Sequence, residues 1–334
     1  MKKAIVLINV GTPDSPETKH VRPYLREFLG DKHVIDIPAL PRWLLVNLII
    51  APFRAPKSAK LYQQLWTSEG SPLLYLTQNL AKKIQDKLND QEQVFVAMRY
   101  GNPSIKAVLN QLQLVQPEEI VIVPMYPHYA ESTTGTVVAE VMKYLQQWTI
   151  IPAIKVVGQF YNHPAYIQSF TRRISAYQPK EFDHILFSYH GLPESHIHRI
   201  HPDKKISACH CENQMPAEGN FCYRATCYAT SRLLQEAIDI PQSSCSQAFQ
   251  SRLTKKWLRP FADEKVIRLA QKGVKKLLVV APAFVTDCLE TLVEIGHEYE
   301  ILFKENGGEK LVMVSSLNDE DYWANALLSI IKQQ

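Results

Sequence analysis

Short runs of apolar, β-branched residues alternate with longer amphipathic stretches along most of the chain. Apolar runs of this length, bounded by turn residues, are typical of buried strands, and the amphipathic stretches predict helices. The predicted strands are Ala4–Asn9, Val94–Met98, Ile120–Val123, Ile150–Val157, His184–Ser188, Leu277–Val280 and Leu311–Val314. The predicted helices include Thr77–Leu88, Ile105–Leu114, Pro164–Tyr177 and Tyr228–Ile238. This alternation predicts an α/β fold whose parallel sheets are covered on both faces.

Two weak internal similarities indicate that the fold repeats. The stretch "IVLINVGTPDS" (5–15) resembles "ILFSYHGLPES" (185–195), and "IVIVPMY" (120–126) resembles "LLVVAPAF" (277–284). We therefore expect two similar α/β domains with parallel sheets that face a central cleft. The first should comprise residues 1–148 with a returning C-terminal helix at 318–334, and the second residues 149–317.

Composition and charge exclude several classes of protein. Of the 334 residues, 46% are hydrophobic and 21% are charged, and the formal net charge is +4. This balance is ordinary for a globular enzyme and too mildly basic to favour a nucleic-acid partner. No Gly-x-Gly-x-x-Gly or P-loop motif occurs, which argues against a dinucleotide or a nucleoside triphosphate. The N-terminal residues do not resemble a signal peptide, and no apolar stretch is long enough to span a membrane. We therefore expect a cytoplasmic protein.

One segment leaves two interpretations open. Trp43–Phe53, within "RWLLVNLIIAPFR", is almost wholly apolar and is bracketed by arginines. Its length is that of a helix in a hydrophobic core. The alternative is an exposed apolar lip that contacts a membrane surface or guards an apolar ligand. The alternative would place the protein at the inner face of the membrane, and the sequence does not define an oligomeric state.

A histidine directly follows one predicted strand. His190 comes after His184–Ser188, at the edge where parallel α/β sheets bind ligands. A histidine titrates near neutral pH, so this position suits proton transfer or metal binding. A structural histidine within a turn is the alternative.

Three glutamates recur at four-residue spacing after another predicted strand. In a helix, Glu290, Glu294 and Glu298 would stack three carboxylates along one face. Such a face is either solvated or serves cations or protons. Asp287 stands three residues before Glu290, which is the spacing of a capping box at a helix N-terminus.

A further set of planar and cationic side chains follows strands of the first half. The motifs "AMRYGNPS" and "VPMYPHYAESTTGT" suit a flat, acidic, aromatic ligand. Ordinary turn chemistry and aromatic packing are the alternative. The residues are Arg99, Tyr100, Tyr126, His128 and Tyr129.

Four of the six cysteines are clustered in the second half. Cys209, Cys211, Cys222 and Cys227 follow the spacing C-x-C-x₁₀-C-x₄-C. This spacing is that of neither a common zinc finger nor a ferredoxin. On spacing alone, a metal site and free thiols are both open.

Taken together, these motifs resemble those of the ferrochelatases, lyases that insert Fe(II) into a porphyrin to make haem. The similarity runs along nearly the whole chain, through "LINVGTPDSP", "VRPYLREFLGDKHVIDIP", "GSPLLYLTQ", "MRYGNPS", "YPHYAESTTG", "LFSYHGLPESH" and "DCLETLVEI". It implies two similar Rossmann-like, chelatase-type domains around a porphyrin cleft. The implied reaction is insertion of Fe(II) into protoporphyrin IX with release of two protons, the last step of haem biosynthesis. The alternatives are a coproporphyrin ferrochelatase, a sirohydrochlorin chelatase and a non-catalytic haem-binding protein.

The resemblance also implies roles for individual residues. His190 matches the active-site histidine of the family and Glu290 its essential acid, and both should contact the substrate iron. Glu294 and Glu298 match the continuation of an acidic path for protons or metal. Porphyrin contacts are implied at Val10, Ser71, Arg99, Tyr100, Tyr126 and Tyr189.

For the cysteines, the resemblance shifts the balance between the two interpretations. Some bacterial ferrochelatases hold a [2Fe–2S] cluster through an internal cysteine-rich insertion, and the four clustered cysteines stand where such an insertion would be. A [2Fe–2S] cluster on Cys209, Cys211, Cys222 and Cys227 is therefore implied, with zinc as the second choice. We expect Cys227 at the start of a helix, where a thiolate would be stabilised.

Overall fold

The computed structural model describes residues 1–333, and the chain divides into two compact units. The first unit comprises residues 1–126, residues 131–158 and the C-terminal segment from Asp319. The second comprises residues 127–130 and 159–318. Each unit contains one four-stranded parallel sheet flanked by helices. The predicted α/β class with two similar domains is therefore confirmed.

Within residues 1–333, eight strands and twelve α-helices are formed. The strands are β1 (Lys3–Thr12), β2 (Glu92–Gly101), β3 (Glu119–Pro124), β4 (Ala153–Val156), β5 (His184–His190), β6 (Cys245–Gln250), β7 (Lys276–Val280) and β8 (Lys310–Met313). The α-helices are α1 (Thr18–Gly30), α2 (Ala39–Leu44), α3 (Ala51–Leu65), α4 (Pro72–Gln85), α5 (Ile105–Val115), α6 (Thr136–Leu145), α7 (Pro164–Ser175), α8 (Glu194–Ile200), α9 (Tyr223–Ala237), α10 (Ala262–Gln271), α11 (Tyr299–Glu305) and α12 (Asp321–Lys332). Segments of π-helix cover Leu45–Ile50, Glu131–Gly135 and Glu290–Glu298, and 3₁₀ turns cover Pro179–Glu181, Ile206–Ala208 and Gln242–Ser244.

The two sheets share one strand order. The first runs β2-β1-β3-β4 and the second β6-β5-β7-β8. β1 and β5 therefore occupy equivalent positions, as do β3 and β7, and the two internal similarities of the sequence fall on these equivalent pairs. The sequence pattern does not predict β6, because serine and glutamine interrupt its apolar positions. That strand forms nonetheless, because it pairs with β5 over six residues.

Helices cover both faces of each sheet, which explains why the central strands are apolar at consecutive positions. In the first unit, side chains of β1, β2 and β3 form one buried cluster with those of α5 and α6. In the second, side chains of β5, β6 and β7 form a cluster with those of α10 and α11. Burial of these apolar surfaces fixes the strands, and so fixes the positions of the side chains at their carboxyl ends.

The boundary between the units lies later than the sequence predicts. β4 pairs with β3, as in the contact of Ile122 with Val156, so it completes the first sheet. The first unit extends to Gly158 rather than to residue 148, and the short segment Pro127–Ala130 belongs to the second unit. α12 packs against α4 of the first unit, where Lys83 and Asp321 form a 3.1 Å ion pair.

Glycine at position 11 sets the spacing of β1 and β2 near their carboxyl ends. Gly11 has φ +108°, a conformation that side chains disfavour. A Cβ atom there would overlap the carbonyl oxygen of Tyr100 on the neighbouring strand. The close approach brings Val10 beside Arg99, since Gly11 pairs with Tyr100 in the ladder.

Candidate active site

His190 is the last residue of β5 and is partly exposed. Its Nδ1 lies 2.7 Å from the carbonyl oxygen of Gly191. A carbonyl only accepts, so this contact assigns the proton to Nδ1 and leaves the Nε2 lone pair available to a proton or a metal ion. Two aromatic rings flank the imidazole, with centroid distances of 6.2 Å to Trp257 and 6.4 Å to Phe284.

The acidic stretch after β7 is a π-helical segment rather than a regular α-helix. Glu290 and Glu294 are partly buried within Glu290–Glu298, while Glu298 is exposed. Glu294 interacts electrostatically with both Glu290 and His190. The structure therefore brings His190, Glu290 and Glu294 into one electrostatic group, with Glu298 at the solvent end. π-helical turns are rare in proteins, and many of those that do occur lie at functional sites.

Glu294 is the best-anchored carboxylate of the three. It accepts hydrogen bonds from the Ser251 N–H at 2.9 Å, the Ser251 hydroxyl at 2.5 Å and the Tyr299 hydroxyl at 2.9 Å. Burial raises the pKa of Glu294, and the hydrogen bonds from Ser251 and Tyr299 only partly oppose that effect. The carboxyl group therefore stays protonated to higher pH than an exposed glutamate, and can exchange a proton.

The predicted capping box at Asp287 does not form. The Asp287 carboxylate instead accepts from the Thr291 hydroxyl at 2.9 Å, the Ser316 N–H at 3.1 Å and the Asn318 amide at 2.7 Å. These contacts tie the start of the acidic segment to the loop after β8. The first helical residue is Leu289, so Asp287 stands one residue too early to cap the helix, and its carboxylate bonds to the Thr291 hydroxyl instead.

In the first unit, Val10, Arg99, Tyr100 and Tyr126 lie at the carboxyl ends of β1, β2 and β3. Val10 and Tyr126 are partly exposed. Tyr100 is only 1% exposed, so its ring has almost no surface open to a ligand. The implied direct contact of Tyr100 with a porphyrin is therefore not supported by its burial.

Arg99 is committed to a buried network centred on Asp31. The Asp31 carboxylate accepts from Arg99 Nη2 at 2.6 Å, the Tyr100 hydroxyl at 2.8 Å, the Thr136 hydroxyl at 2.5 Å and the His33 N–H at 2.8 Å. Burial opposes ionisation, but hydrogen bonds from Thr136 and His33 and the charge of Arg99 outweigh it and lower the pKa of Asp31 to about 2. The guanidinium therefore has its charge already balanced within the protein.

The remaining implied porphyrin contacts are also buried. Ser71 precedes α4 and is 4% exposed, and Tyr189 in β5 is fully buried with its hydroxyl 3.0 Å from Ser231. His128 is buried as well, and burial lowers its pKa to about 3. Its Nε2 lies 2.9 Å from the Thr230 hydroxyl, so His128 is part of the packing of the second unit. Of these three, only Ser71 and Tyr189 were implied as porphyrin contacts; both are as buried as Tyr100, and their contact with a porphyrin stays a prediction.

The cysteine segment, residues 209–222, leads into α9. Cys222 is the residue that precedes this helix, and Cys227 lies inside it, so the expected placement of Cys227 at a helix start is wrong. Cys211 and Cys227 are fully buried. Burial raises the pKa of Cys211 to about 12 and also raises those of Cys222 and Cys227. Without a bound cation these groups are therefore neutral thiols.

The four thiols are neighbours but do not form a preformed metal site. Cys211 interacts electrostatically with Cys209 and Cys222, and Cys227 with Cys211 and Cys222. Arg224 donates to the Cys211 sulfur at 2.6 Å. In number and chemistry this donor set fits a four-thiolate centre. Nevertheless, no three His, Cys, Asp or Glu side chains within residues 1–333 are arranged to hold a metal ion.

The apolar segment Trp43–Phe53 is helical but not a core helix. Trp43 is 57% exposed and Phe53 is 73% exposed, and only Val46 and Ala51 within the segment are buried. The interpretation as a core helix is therefore wrong. None of the helices in the described chain combines the length and apolarity needed to cross a bilayer.

Several residues of the site escape prediction from the sequence. Ser251 follows β6, the strand that the apolar pattern misses, and Tyr223 and Asp31 stand in segments without a periodic signal. Trp257 and Phe284 are far from His190 in sequence and reach it only through the fold. The stretch "LLVVAPAF", in which a proline and an aromatic residue follow an apolar strand, is the sequence signal that pointed to Phe284.

Comparison with known proteins gives concordant results. The family model described as ferrochelatase matches residues 2–334. The chain is 42% identical over 339 residues to the ferrochelatase of Legionella pneumophila (strain Lens), covering 100% of both chains. It is 41% identical over 340 residues to the ferrochelatase of Coxiella burnetii (strain Dugway 5J108-111), covering 99% of this chain and 94% of the other.

Solved structures with a similar fold are also found. The sirohydrochlorin chelatase SirB from Bacillus subtilis subspecies spizizenii, solved in complex with cobalt, superposes with a TM-score of 0.55 at 12% identity. That match covers 100% of this chain and 95% of the other. DR2241 from Deinococcus radiodurans matches with a TM-score of 0.53 at 11% identity, over 99% of this chain and 55% of the other. At such identities the likeness concerns the fold alone.

Proposed function

Because this chain belongs to the ferrochelatase family, we propose that it inserts Fe(II) into protoporphyrin IX to form protohaem, with release of two protons. Like its relatives it is a lyase of haem synthesis. The observation that carries the choice of catalytic residues is the grouping of His190 with Glu294 and Glu290 at the carboxyl edge of the second sheet.

His190 takes the role of proton acceptor. Insertion requires that two pyrrole N–H protons leave the macrocycle, and an imidazole with a free lone pair accepts a proton near neutral pH. The contact of Nδ1 with Gly191 leaves Nε2 for this task. The rings of Trp257 and Phe284 offer flat apolar surfaces beside the imidazole, which suit a planar aromatic substrate.

The carboxylates connect the imidazole to solvent. Glu298 is exposed, whereas Glu290 and Glu294 are partly buried, so the three carboxylates form a graded path. Carboxylate oxygens and imidazole nitrogen are ligands that Fe(II) accepts. We assign Glu290 to contact with the incoming iron, and Glu294 and Glu298 to the movement of protons or iron along the path.

The residues of the first unit divide by exposure. Val10 and Tyr126 have surface for contact with the porphyrin. Arg99 and Tyr100, and also Tyr189 of the second unit, are engaged in internal hydrogen bonds, and we propose that they support the surfaces against which the porphyrin packs. Ser71 has the same indirect role, since it is buried at the start of α4.

The exposed lip Trp43–Phe53 favours protoporphyrin over more polar tetrapyrroles. Protoporphyrin carries two apolar vinyl groups where coproporphyrin carries two further propionates. The lip also provides a surface for peripheral contact with the cytoplasmic face of a membrane, from which an apolar substrate would be drawn. Arg54 and Lys57, at the end of the lip, add positive charge suited to anionic lipids.

For the cysteine segment and the adjoining Cys227 of α9 we propose a [2Fe–2S] cluster held by Cys209, Cys211, Cys222 and Cys227. Support comes from the number of thiols, the burial of Cys211, Cys222 and Cys227, and the mutual electrostatic effects of the four thiols. Iron would convert the buried thiols to thiolates, because metal coordination deprotonates them. Arg224 would balance part of the resulting negative charge. No step of the insertion reaction is assigned to this centre.

The experiment that tests the function follows the porphyrin absorption spectrum during anaerobic incubation with Fe(II), and separately with Zn(II). Protoporphyrin IX, coproporphyrin III and sirohydrochlorin are compared at equal concentration. We expect insertion with the highest kcat/KM for protoporphyrin IX. Preference for one of the other two tetrapyrroles would replace the substrate assignment, and binding of all three without insertion would contradict catalysis.

A further inference from the structure

Tyr223 makes a direct hydrogen bond to the backbone of the candidate catalytic histidine. Its hydroxyl donates to the carbonyl oxygen of His190 at 2.9 Å. Tyr223 is the first residue of α9 and is 4% exposed. Its ring packs edge-on against that of His128 at a centroid distance of 6.1 Å. The packing of the ring therefore fixes the position of the Tyr223 hydroxyl, and the hydroxyl in turn restrains the backbone at the end of β5.

A second residue of α9 holds the neighbouring position of the strand. The hydroxyls of Ser231 and Tyr189 are 3.0 Å apart, and Ser231 also donates to Gln247 Oε1 at 2.7 Å. All three side chains are buried. Residues 189 and 190, the last two of β5, are thus both bonded to α9.

The same helix is bonded to the cysteine segment. Arg224 donates to the Cys211 sulfur at 2.6 Å and to Glu212 Oε2 at 3.1 Å. Arg232 donates to the carbonyl oxygens of Cys211 and Glu212 at 2.8 and 2.9 Å. Cys222 is the residue on which the helix begins. Arg224 and Arg232 are eight residues apart, so side chains about two turns apart on α9 both bond to the cysteine segment. We therefore expect a displacement of the cysteine segment to act on α9 through these contacts.

We propose that Tyr223 is a positioning residue for His190, and that through α9 it makes the orientation of the histidine depend on the cysteine segment. The proposal rests on the catalytic role assigned to His190. The contact between α9 and β5 would position His190 whether or not the thiols hold a metal. The geometry of the imidazole relative to the porphyrin nitrogens controls the rate, because small misplacements of a reacting group reduce turnover steeply.

The first test compares two conservative substitutions. Tyr223→Phe removes only the hydroxyl that holds His190. Tyr166→Phe is the matched control, because Tyr166 is also buried in the second unit and donates to a backbone carbonyl, that of Pro282, at 2.7 Å. We expect Tyr223→Phe to lower kcat about tenfold with the KM for porphyrin unchanged, and Tyr166→Phe to leave kcat within about twofold.

The second test observes His190 directly and does not depend on turnover. In protein labelled with ¹⁵N-histidine, the ring signals of His190 are assigned by their loss in His190→Ala. We expect Tyr223→Phe and Arg224→Gln each to shift these signals, while Tyr166→Phe leaves them in place. Arg224→Gln keeps a polar side chain of similar length at a partly exposed position, and a circular dichroism spectrum like that of the wild type confirms that the variant is folded.

The coupling is tested by combining the substitutions. If the cysteine segment acts on His190 through Tyr223, Arg224→Gln should lower kcat in the wild-type background but add nothing in the Tyr223→Phe background. Independent effects that multiply would overturn the coupling. Unchanged His190 signals in Tyr223→Phe would overturn the positioning role, and this result is distinct from a failure of the wild-type protein to insert metal.

Discussion

Ser251 donates two hydrogen bonds to the carboxylate of Glu294, one from its N–H at 2.9 Å and one from its hydroxyl at 2.5 Å. Ser251 has φ +60°, in the left-handed region that residues other than glycine seldom adopt. The carboxylate therefore stabilises a strained backbone at the end of β6. In return, the strained turn fixes the orientation of an acid that lies within the electrostatic reach of His190.

Replacing Ser251 with glycine should change the pH dependence of insertion more than the stability. Glycine adopts φ +60° without strain and keeps the N–H donor, but it lacks the hydroxyl. Loss of a donor to the ionised form raises the pKa of Glu294 further. If the ionised carboxylate serves the path, the acidic limb of the rate profile for Zn(II) insertion should move to higher pH. An unmoved profile would remove Glu294 from the path.

Asp31 should stabilise the fold in a pH-dependent manner. Its pKa is lowered from 3.8 to about 2 in the folded state, which corresponds to about 2 kcal/mol. Because the folded pKa lies below the unfolded value, this contribution is complete above pH ~4 and is lost as the pH falls towards 2. Asp31→Asn should therefore lower the free energy of unfolding by about 2 kcal/mol at pH 7, since it removes the ion pair with Arg99 at 2.6 Å and leaves the guanidinium only the longer contact with Glu140 at 3.8 Å.

Urea denaturation at pH 7 and at pH 3 measures this difference. The gap between Asp31→Asn and the wild type should narrow at the lower pH. Asp86→Asn is a suitable control, because Asp86 stands at the end of α4 outside this network. A gap that stays constant between the two pH values would contradict the ionised state assigned to Asp31.

The apolar lip should carry membrane binding. Trp43→Gln and Phe53→Gln each remove an exposed aromatic side chain, and burial of such a side chain contributes about 1.5–3 kcal/mol. Each substitution should therefore weaken co-sedimentation with vesicles of phosphatidylcholine and phosphatidylglycerol by about tenfold or more. Leu114→Gln is the matched control, since Leu114 is 87% exposed on α5 outside the lip. Equal losses in all three variants, or no binding by the wild type, would contradict the assignment.

The cysteine segment should hold iron and labile sulfide. Aerobically purified protein should contain about two iron and two sulfide ions per chain, with visible absorption typical of a [2Fe–2S] cluster. Cys222→Ser should lose both, whereas Cys245→Ser should keep them, because Cys245 lies in β6 outside the segment. Colourless protein with one zinc ion per chain would show that the four cysteines bind zinc instead of the cluster. Protein with neither iron nor zinc would show that the cysteines are free thiols and would contradict the proposed cluster.

Sequence patterns predicted the sheets better than the site. β1, β3, β5 and β7 were predictable because strands buried on both faces must be apolar at consecutive positions. β6 was not, since its polar residues are satisfied by partners such as Ser188, which donates to Gln250. Ser188 and Gln250 are 62 residues apart in the chain, so a local periodic pattern does not indicate that their side chains pair.

In the candidate site, the position of His190 after a strand could be predicted from the sequence, but the residues that surround its imidazole could not. The four-residue spacing of the glutamates predicted one shared face, but the segment is π-helical, and only tertiary contacts such as Ser251 with Glu294 decide that geometry. Arg99 was predictable as a cation at a strand end. Its neutralisation by Asp31, 68 residues away, depends on the fold.

The most direct test of the central claim measures porphyrin binding and metal insertion together in His190→Ala and Glu290→Gln. Both variants should bind protoporphyrin IX with a Kd close to that of the wild type and should lose insertion of Fe(II) and Zn(II) by at least about 100-fold. Glu300→Gln is the control, because Glu300 bonds to Lys304 on the outer side of the same helical run. Insertion near the wild-type rate by either His190→Ala or Glu290→Gln would contradict the account.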